Sequence, residues 1–122
     1  MASIIHFNIN AENPENVKVF YEKLFDWKFE LLPGPMQYYL IETKQINGNK
    51  GVGGGMAKIS GDEKKGFSNF IGVESIDHSL EQVKKLGGQI IQGKQSIPTW
   101  GFMALCTDVE GNLFGLFEDE KK

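Results

Sequence analysis

A chain of 122 residues with 40% hydrophobic content is long enough for one domain with a real core and too short for two. All 13 basic residues are lysine, and without arginine's planar fork, at a net charge of −3, nucleic acid is not an expected partner. No apolar run approaches the ~20 residues that cross a bilayer, no basic region and apolar segment open the chain, and the single Cys106 excludes an internal disulfide framework, so a cytoplasmic, membrane-free protein is expected.

Ile5, Phe7 and Ile9 alternate with His6 and Asn8, the period of a half-buried strand. Val17, Phe20, Tyr21 and Leu24 then recur at helical spacing, after Asn13 as a cap and Pro14 at the first helical position, where a missing N–H costs nothing. If Ile5, Phe7 and Ile9 pack under that helix, His6 and Asn8 face the other way together with Ile4. Strands are expected over Trp27 to Leu32, ended by Pro33-Gly34-Pro35, and over Met36 to Ile41. Asn47-Gly48 supplies a hairpin turn and Val52 to Ile59 returns as a fourth strand. Residues 61–66, with Asp62-Glu63-Lys64-Lys65, are polar and aperiodic and predict an exposed connector.

The same series then begins again. Asn69 to Val73 is a short strand; Asp77 or Ser75 can cap a helix carrying Leu80, Val83 and Leu86; Gly87-Gly88 ends it. Gln89 to Gln92 is a strand, Pro98-Thr99-Trp100-Gly101 a break, Phe102 to Thr107 a strand, and Asp108 to Asn112 turns into Leu113 to Phe117. His78 reads as a surface residue near the start of the second helix, and Glu118 to Lys122 read as a frayed tail. Strand, helix and three strands, twice over, is an internal repeat. A sheet with one helix on its back leaves a face uncovered, so two such units are expected to enclose a small-molecule concavity.

His6-Phe7-x-Ile9, Asn13-Pro14-Glu15 leading to Phe20-Tyr21, Phe25-x-Trp27, Val83-Lys84-Lys85-Leu86-Gly87-Gly88 and Asp108-x-Glu110-Gly111-Asn112-x-Phe114-Gly115-Leu116 occur in that order. The set resembles the vicinal oxygen chelate superfamily, which holds glyoxalase I, bleomycin-resistance proteins and extradiol dioxygenases. The resemblance implies an α+β fold, a single glyoxalase-like domain over 1–122 with modules at about 3–60 and 67–118. Two βαβββ modules then form an incomplete barrel around a cup, and the chain pairs as a homodimer. It also implies four metal-ligand positions. His6 falls on the first. The second falls in Gly54-Gly55-Met56, the third near Ser68, or Asn69 or Phe70 if the register slips, and the fourth on Gly115. One imidazole does not make a site for a metal that wants about three or more protein donors. Glu118, near the end of the last strand, differs in parity from Gly115 and should point the other way.

The candidate ligand-contacting residues are His6, Asn8, Tyr39, Gly55, Phe70, Trp100, Phe102 and Phe117. His6 can donate, accept or transfer a proton near neutrality. Strand glycines, in the run Gly51-Val52-Gly53-Gly54-Gly55, let a bound molecule lie near the backbone, and the aromatic residues give it an apolar lining. That run lacks the lysine-serine or lysine-threonine ending of a phosphate loop, and Cys106 has no activating neighbour in sequence. The leading expectation is a cofactor-free protein that binds a small organic molecule. The alternatives are a lyase, isomerase or dioxygenase of the glyoxalase kind, depending on a divalent metal or on His6, and a subunit whose role is contact with another protein.

Overall fold

The computed structural model describes residues 2–34, 37–61 and 63–120; Met36, Pro35 and Asp62, and Lys121 and Lys122 of the expected tail, lie outside the described residues. The chain divides into two compact units, His6–Phe67 and Ser68–Lys122, the latter joined by Met1–Ile5. The first unit is built from β1 (Ser3–Ala11), α1 (Pro14–Phe25), β2 (Lys28–Leu31), β3 (Tyr38–Glu42) and β4 (Gly53–Lys58). The second follows as β5 (Gly66–Gly72), α2 (Ile76–Lys85), β6 (Gln89–Ile97), β7 (Gly101–Thr107) and β8 (Leu113–Asp119). Each is a βαβββ module whose open mixed sheet has one topology, with the neighbours β1-β4-β3-β2 in one and β5-β8-β7-β6 in the other. The first and last strands of each module run parallel and the others antiparallel.

Local chemistry sets the boundaries. The Asn13 side chain accepts the Asn16 backbone N–H and Pro14 opens α1; Ser75, rather than Asp77, caps α2 by accepting the His78 N–H. Gly87, at φ 95°, takes the left-handed turn after α2, where Gly88 N–H reaches back to the Val83 carbonyl. The β3–β4 connection turns at Gly48, φ 89°, in a loop longer than two residues, and Lys44 and Lys50 form an isolated bridge across its base. β6 runs five residues beyond its expected end at Gln92, with register irregularities on either side of that residue.

One face of each sheet is covered by its helix. Under α1 lie Ile9, Ala11, Tyr39, Ile41 and Met56, with Phe7, Val17, Tyr21, Trp27 and Phe29 packed around them. Under α2 lie Ala104, Cys106 and Leu116, joined by Ile76 from the helix itself. Burying a Met or Ile side chain contributes about 1.5–3 kcal/mol each, and Met56 and Ile76 are wholly buried. The apolar stripe of α1 is only partly covered: Val17 and Tyr21 turn inward, while Phe20 and Leu24 are 59% and 56% exposed. At 100° per residue the four positions share one stripe about 100° wide, and the sheet covers only the edge that carries Val17 and Tyr21. Leu86 lies at the C-cap of α2 and is exposed.

The expected tail is a correction. β8 continues to Asp119, and Glu118 is 5% exposed, its carboxylate accepting the backbone N–H of Ile76 at 2.9 Å. Alternation along β8 turns it toward α2 with Leu116, where it satisfies one of the orphan amides of the helix N-terminus.

Candidate ligand-binding site

Strand parity makes the site. On the first sheet, β1 pairs with β4 as His6 with Gly53, Asn8 with Gly55 and Asn10 with Ala57, and β3 pairs with β4 as Tyr38 with Ala57 and Leu40 with Gly55. Cross-strand partners share a face, so His6, Asn8, Asn10, Tyr38 and Leu40 stand on the side away from α1. His6 and Asn8 are half-buried there, and the Asn8 amide donates to Asn10 Oδ1 at 2.9 Å. Burial alone holds the His6 imidazole below its ordinary pKa, so at pH 7 it is a neutral donor and acceptor.

Gly55 is buried because the Tyr38 side chain lies over it: a Cβ at Gly55 would collide with the Tyr38 hydroxyl and the ring carbon that bears it. Burial pushes the Tyr38 phenol above its ordinary pKa and keeps it protonated. Tyr39 occupies the opposite face, buried beneath α1, with its hydroxyl donating to Glu15. The phenol that shares a face with His6 and Asn8 is therefore Tyr38. Its signal in the sequence is parity with Leu40, which an unbroken Tyr38-Tyr39-Leu40-Ile41 run does not disclose.

The second sheet repeats the device with different chemistry. β5 pairs with β8 as Phe70 with Gly115 and Gly72 with Phe117, and β7 pairs with β8 as Leu105 with Gly115 and Met103 with Phe117. A Cβ at Gly115 would collide with the Phe70 ring. The face away from α2 thus carries Phe70, Phe117, Met103 and Leu105, an apolar counterpart to the polar face of the first unit. Phe102 lies on the other side, packed under α2 with Lys94 Nζ 4.6 Å from its ring centroid. Trp100 stands in the β6–β7 turn, 44% exposed. Cys106 is buried in the core, where burial raises its thiol pKa and keeps it unreactive at neutral pH. His78 is exposed on the first turn of α2.

These positions bear on the metal centre that the family resemblance implies. His6 carries an imidazole. Gly55 and Gly115 carry no donor, and an aromatic side chain occupies the space above each. Ser68 offers only a neutral hydroxyl. Glu118, the nearby carboxylate in sequence, is turned to α2. Among the described residues no group of three or more His, Cys, Asp or Glu side chains could hold a metal ion. At these four positions the donors are one imidazole and one hydroxyl, fewer than the three or more that a transition metal wants.

The duplicated module and its topology define a vicinal-oxygen-chelate-like fold. No family model matches the chain, and no curated protein matches it in sequence. Among solved structures it is similar to a hypothetical protein of Bacillus halodurans, with 18% identity, TM-score 0.69, and 99% of this chain and 96% of that one covered. It is also similar to a methylmalonyl-CoA epimerase in complex with methylmalonyl-CoA and ammonium, with 10% identity, TM-score 0.71, and 99% and 96% covered. The methylmalonyl-CoA epimerase of Mycobacterium tuberculosis aligns at 10% identity and TM-score 0.65, over 95% of this chain and 87% of that one. Likeness at such identities establishes the fold; the chemistry rests on the site. Among the described residues no helix is long and apolar enough to cross a membrane.

Proposed function

We propose that this protein binds a small organic molecule on the helix-free faces of its sheets, with no four-ligand metal centre, in the manner of the bleomycin-resistance branch of its fold. The observation that carries the reading is the aromatic side chain laid over a glycine in each module, Tyr38 on Gly55 and Phe70 on Gly115. Gly115 stands at the fourth ligand position that the resemblance implies and Gly55 within the stretch Gly54-Gly55-Met56 that holds the second, and both faces present surface suited to flat or apolar compounds. The likeness to an epimerase solved with a CoA thioester makes acyl-CoA compounds a first class to try, beside aromatic ones. The same reading pairs the chain as a cytoplasmic homodimer, with neither nucleic acid nor membrane as partner.

The test is a thermal-shift screen of aromatic compounds and acyl-CoA thioesters on chelator-treated protein. A ligand present at 100 times its Kd stabilises by about 2.7 kcal/mol, a shift of several degrees for a chain of this size. Failure of every compound to stabilise the fold overturns the proposal.

A second reading is favoured by the neutral, half-buried imidazole of His6, which can take up a proton beside a bound substrate. It makes the protein a lyase, isomerase or epimerase-like catalyst of the glyoxalase kind. Exchange of the substrate's α-hydrogen with deuterium in methylmalonyl-CoA or a methylglyoxal hemithioacetal, lost in His6→Gln, supports it; no exchange by the wild type ends it. Metal analysis of protein purified without chelator decides the metal-dependent form.

A further inference from the structure

We propose that Tyr38 is the hydrogen-bond donor through which the first unit selects its ligand, a flat compound that presents an uncharged carbonyl oxygen to the sheet. The inference rests on the binding reading above and adds to it the contacting group and the ligand chemistry.

Three features of the first unit carry it. The ring is seated by what is missing beneath it: Tyr38 pairs with Ala57, yet its hydroxyl lies back over Gly55, where any larger residue would expel it. Its hydroxyl makes no hydrogen bond to protein among the described residues. Since no buried side-chain nitrogen or oxygen among them lacks a partner, that oxygen is not wholly buried. The other two phenols are placed elsewhere, Tyr39 donating to Glu15 under α1 and Tyr21 stacked on Trp27 against the core.

The surroundings define the ligand. Asn8 and Asn10, joined to each other, and the neutral His6 offer amide and imidazole contacts without net charge. The charged residues of this face, Lys28, Glu30 and Glu42, fall by register on β2 and the far end of β3, toward the sheet edge. A carbonyl set over Gly55 finds a protonated phenol to donate to it. In the second unit the ring over glycine is Phe70, which has no hydroxyl, so the polar choice is made in the first.

Two bicyclic compounds of similar shape test this: coumarin, with a lactone carbonyl, and naphthalene, with none. Affinities are measured by calorimetry for wild type, Tyr38→Phe and Gly55→Ala, with thermal melting to establish that each variant is folded. Wild type is expected to bind coumarin the more tightly. Tyr38→Phe should weaken coumarin roughly five- to tenfold, the value of one hydrogen bond, and leave naphthalene unchanged. Gly55→Ala keeps the hydroxyl but denies it its seat, and should show the same selective loss; if it does not fold, Tyr38→Phe decides alone. Unchanged coumarin affinity in folded Tyr38→Phe overturns the donor role while leaving the binding reading intact. If wild type binds neither compound, the assigned ligand class is overturned, and the wider screen separately judges the reading beneath it.

Discussion

The Glu118 carboxylate, near the end of β8, accepts the backbone N–H of Ile76 at the start of α2, at 2.9 Å and largely shielded from water. The bond ties the last strand of the second unit to its helix, and it joins an anion to the positive end of the helix dipole. Glu118→Leu leaves a buried amide unpaired and should cost roughly 1.5–3 kcal/mol. Glu118→Gln keeps an acceptor oxygen and should lose less. Urea denaturation measures both; a Leu variant as stable as wild type would show the bond to be idle.

His6 predicts a pH dependence. Burial lowers its folded-state pKa below the ordinary 6.5, so below that pH the unfolded chain takes up a proton that the folded one resists. Stability contributed by the neutral imidazole is therefore present above pH 6.5 and is lost as the pH falls through the folded value. His6→Gln should flatten this part of the profile. Denaturation midpoints between pH 5 and 8 for the two proteins give the comparison, and parallel profiles would contradict it.

Gly115 and Phe70 should be energetically coupled. A methyl group at Gly115 meets the near side of the Phe70 ring, including the carbon that joins it to the backbone, so the ring cannot simply swing away. Gly115→Ala should destabilise by about 1–3 kcal/mol through overpacking. Phe70→Ala removes the collision, so the double variant should lose less than the sum of the two single losses, by about 0.5 kcal/mol or more. Additive losses in a double-mutant cycle would mean the two residues do not share that space.

Elements were legible wherever two signals coincided. Asn13-Pro14 before a 3.6-residue pattern marked α1, and Gly87-Gly88 after another marked the end of α2. The duplication of strand, helix and three strands followed from these boundaries. Side-chain direction was legible only where polar and apolar residues alternate. Along Ile5-His6-Phe7-Asn8-Ile9 the alternation placed His6 and Asn8 on the helix-free face. Along Tyr38-Tyr39-Leu40-Ile41 and Phe102-Met103-Ala104-Leu105 every residue is apolar or aromatic, and both faces of the strand look alike. So Tyr39 and Phe102, read as ligand contacts, stand under the helices, while Tyr38 takes the exposed side. Glu118 was hidden differently: its charge groups it with the terminal Asp119-Glu120-Lys121-Lys122 run, and only its two-residue spacing from Leu116 tells of a buried partner.

The most direct test of binding at these faces is a backbone amide NMR map recorded during titration with the most stabilising compound of the screen. The largest shifts should fall at His6, Asn8, Gly55, Phe70 and Gly115, with residues on the solvent side of α1 and α2 unmoved. Shifts confined to the outer face of α1, around Val19, Phe20 and Leu24, would contradict the account.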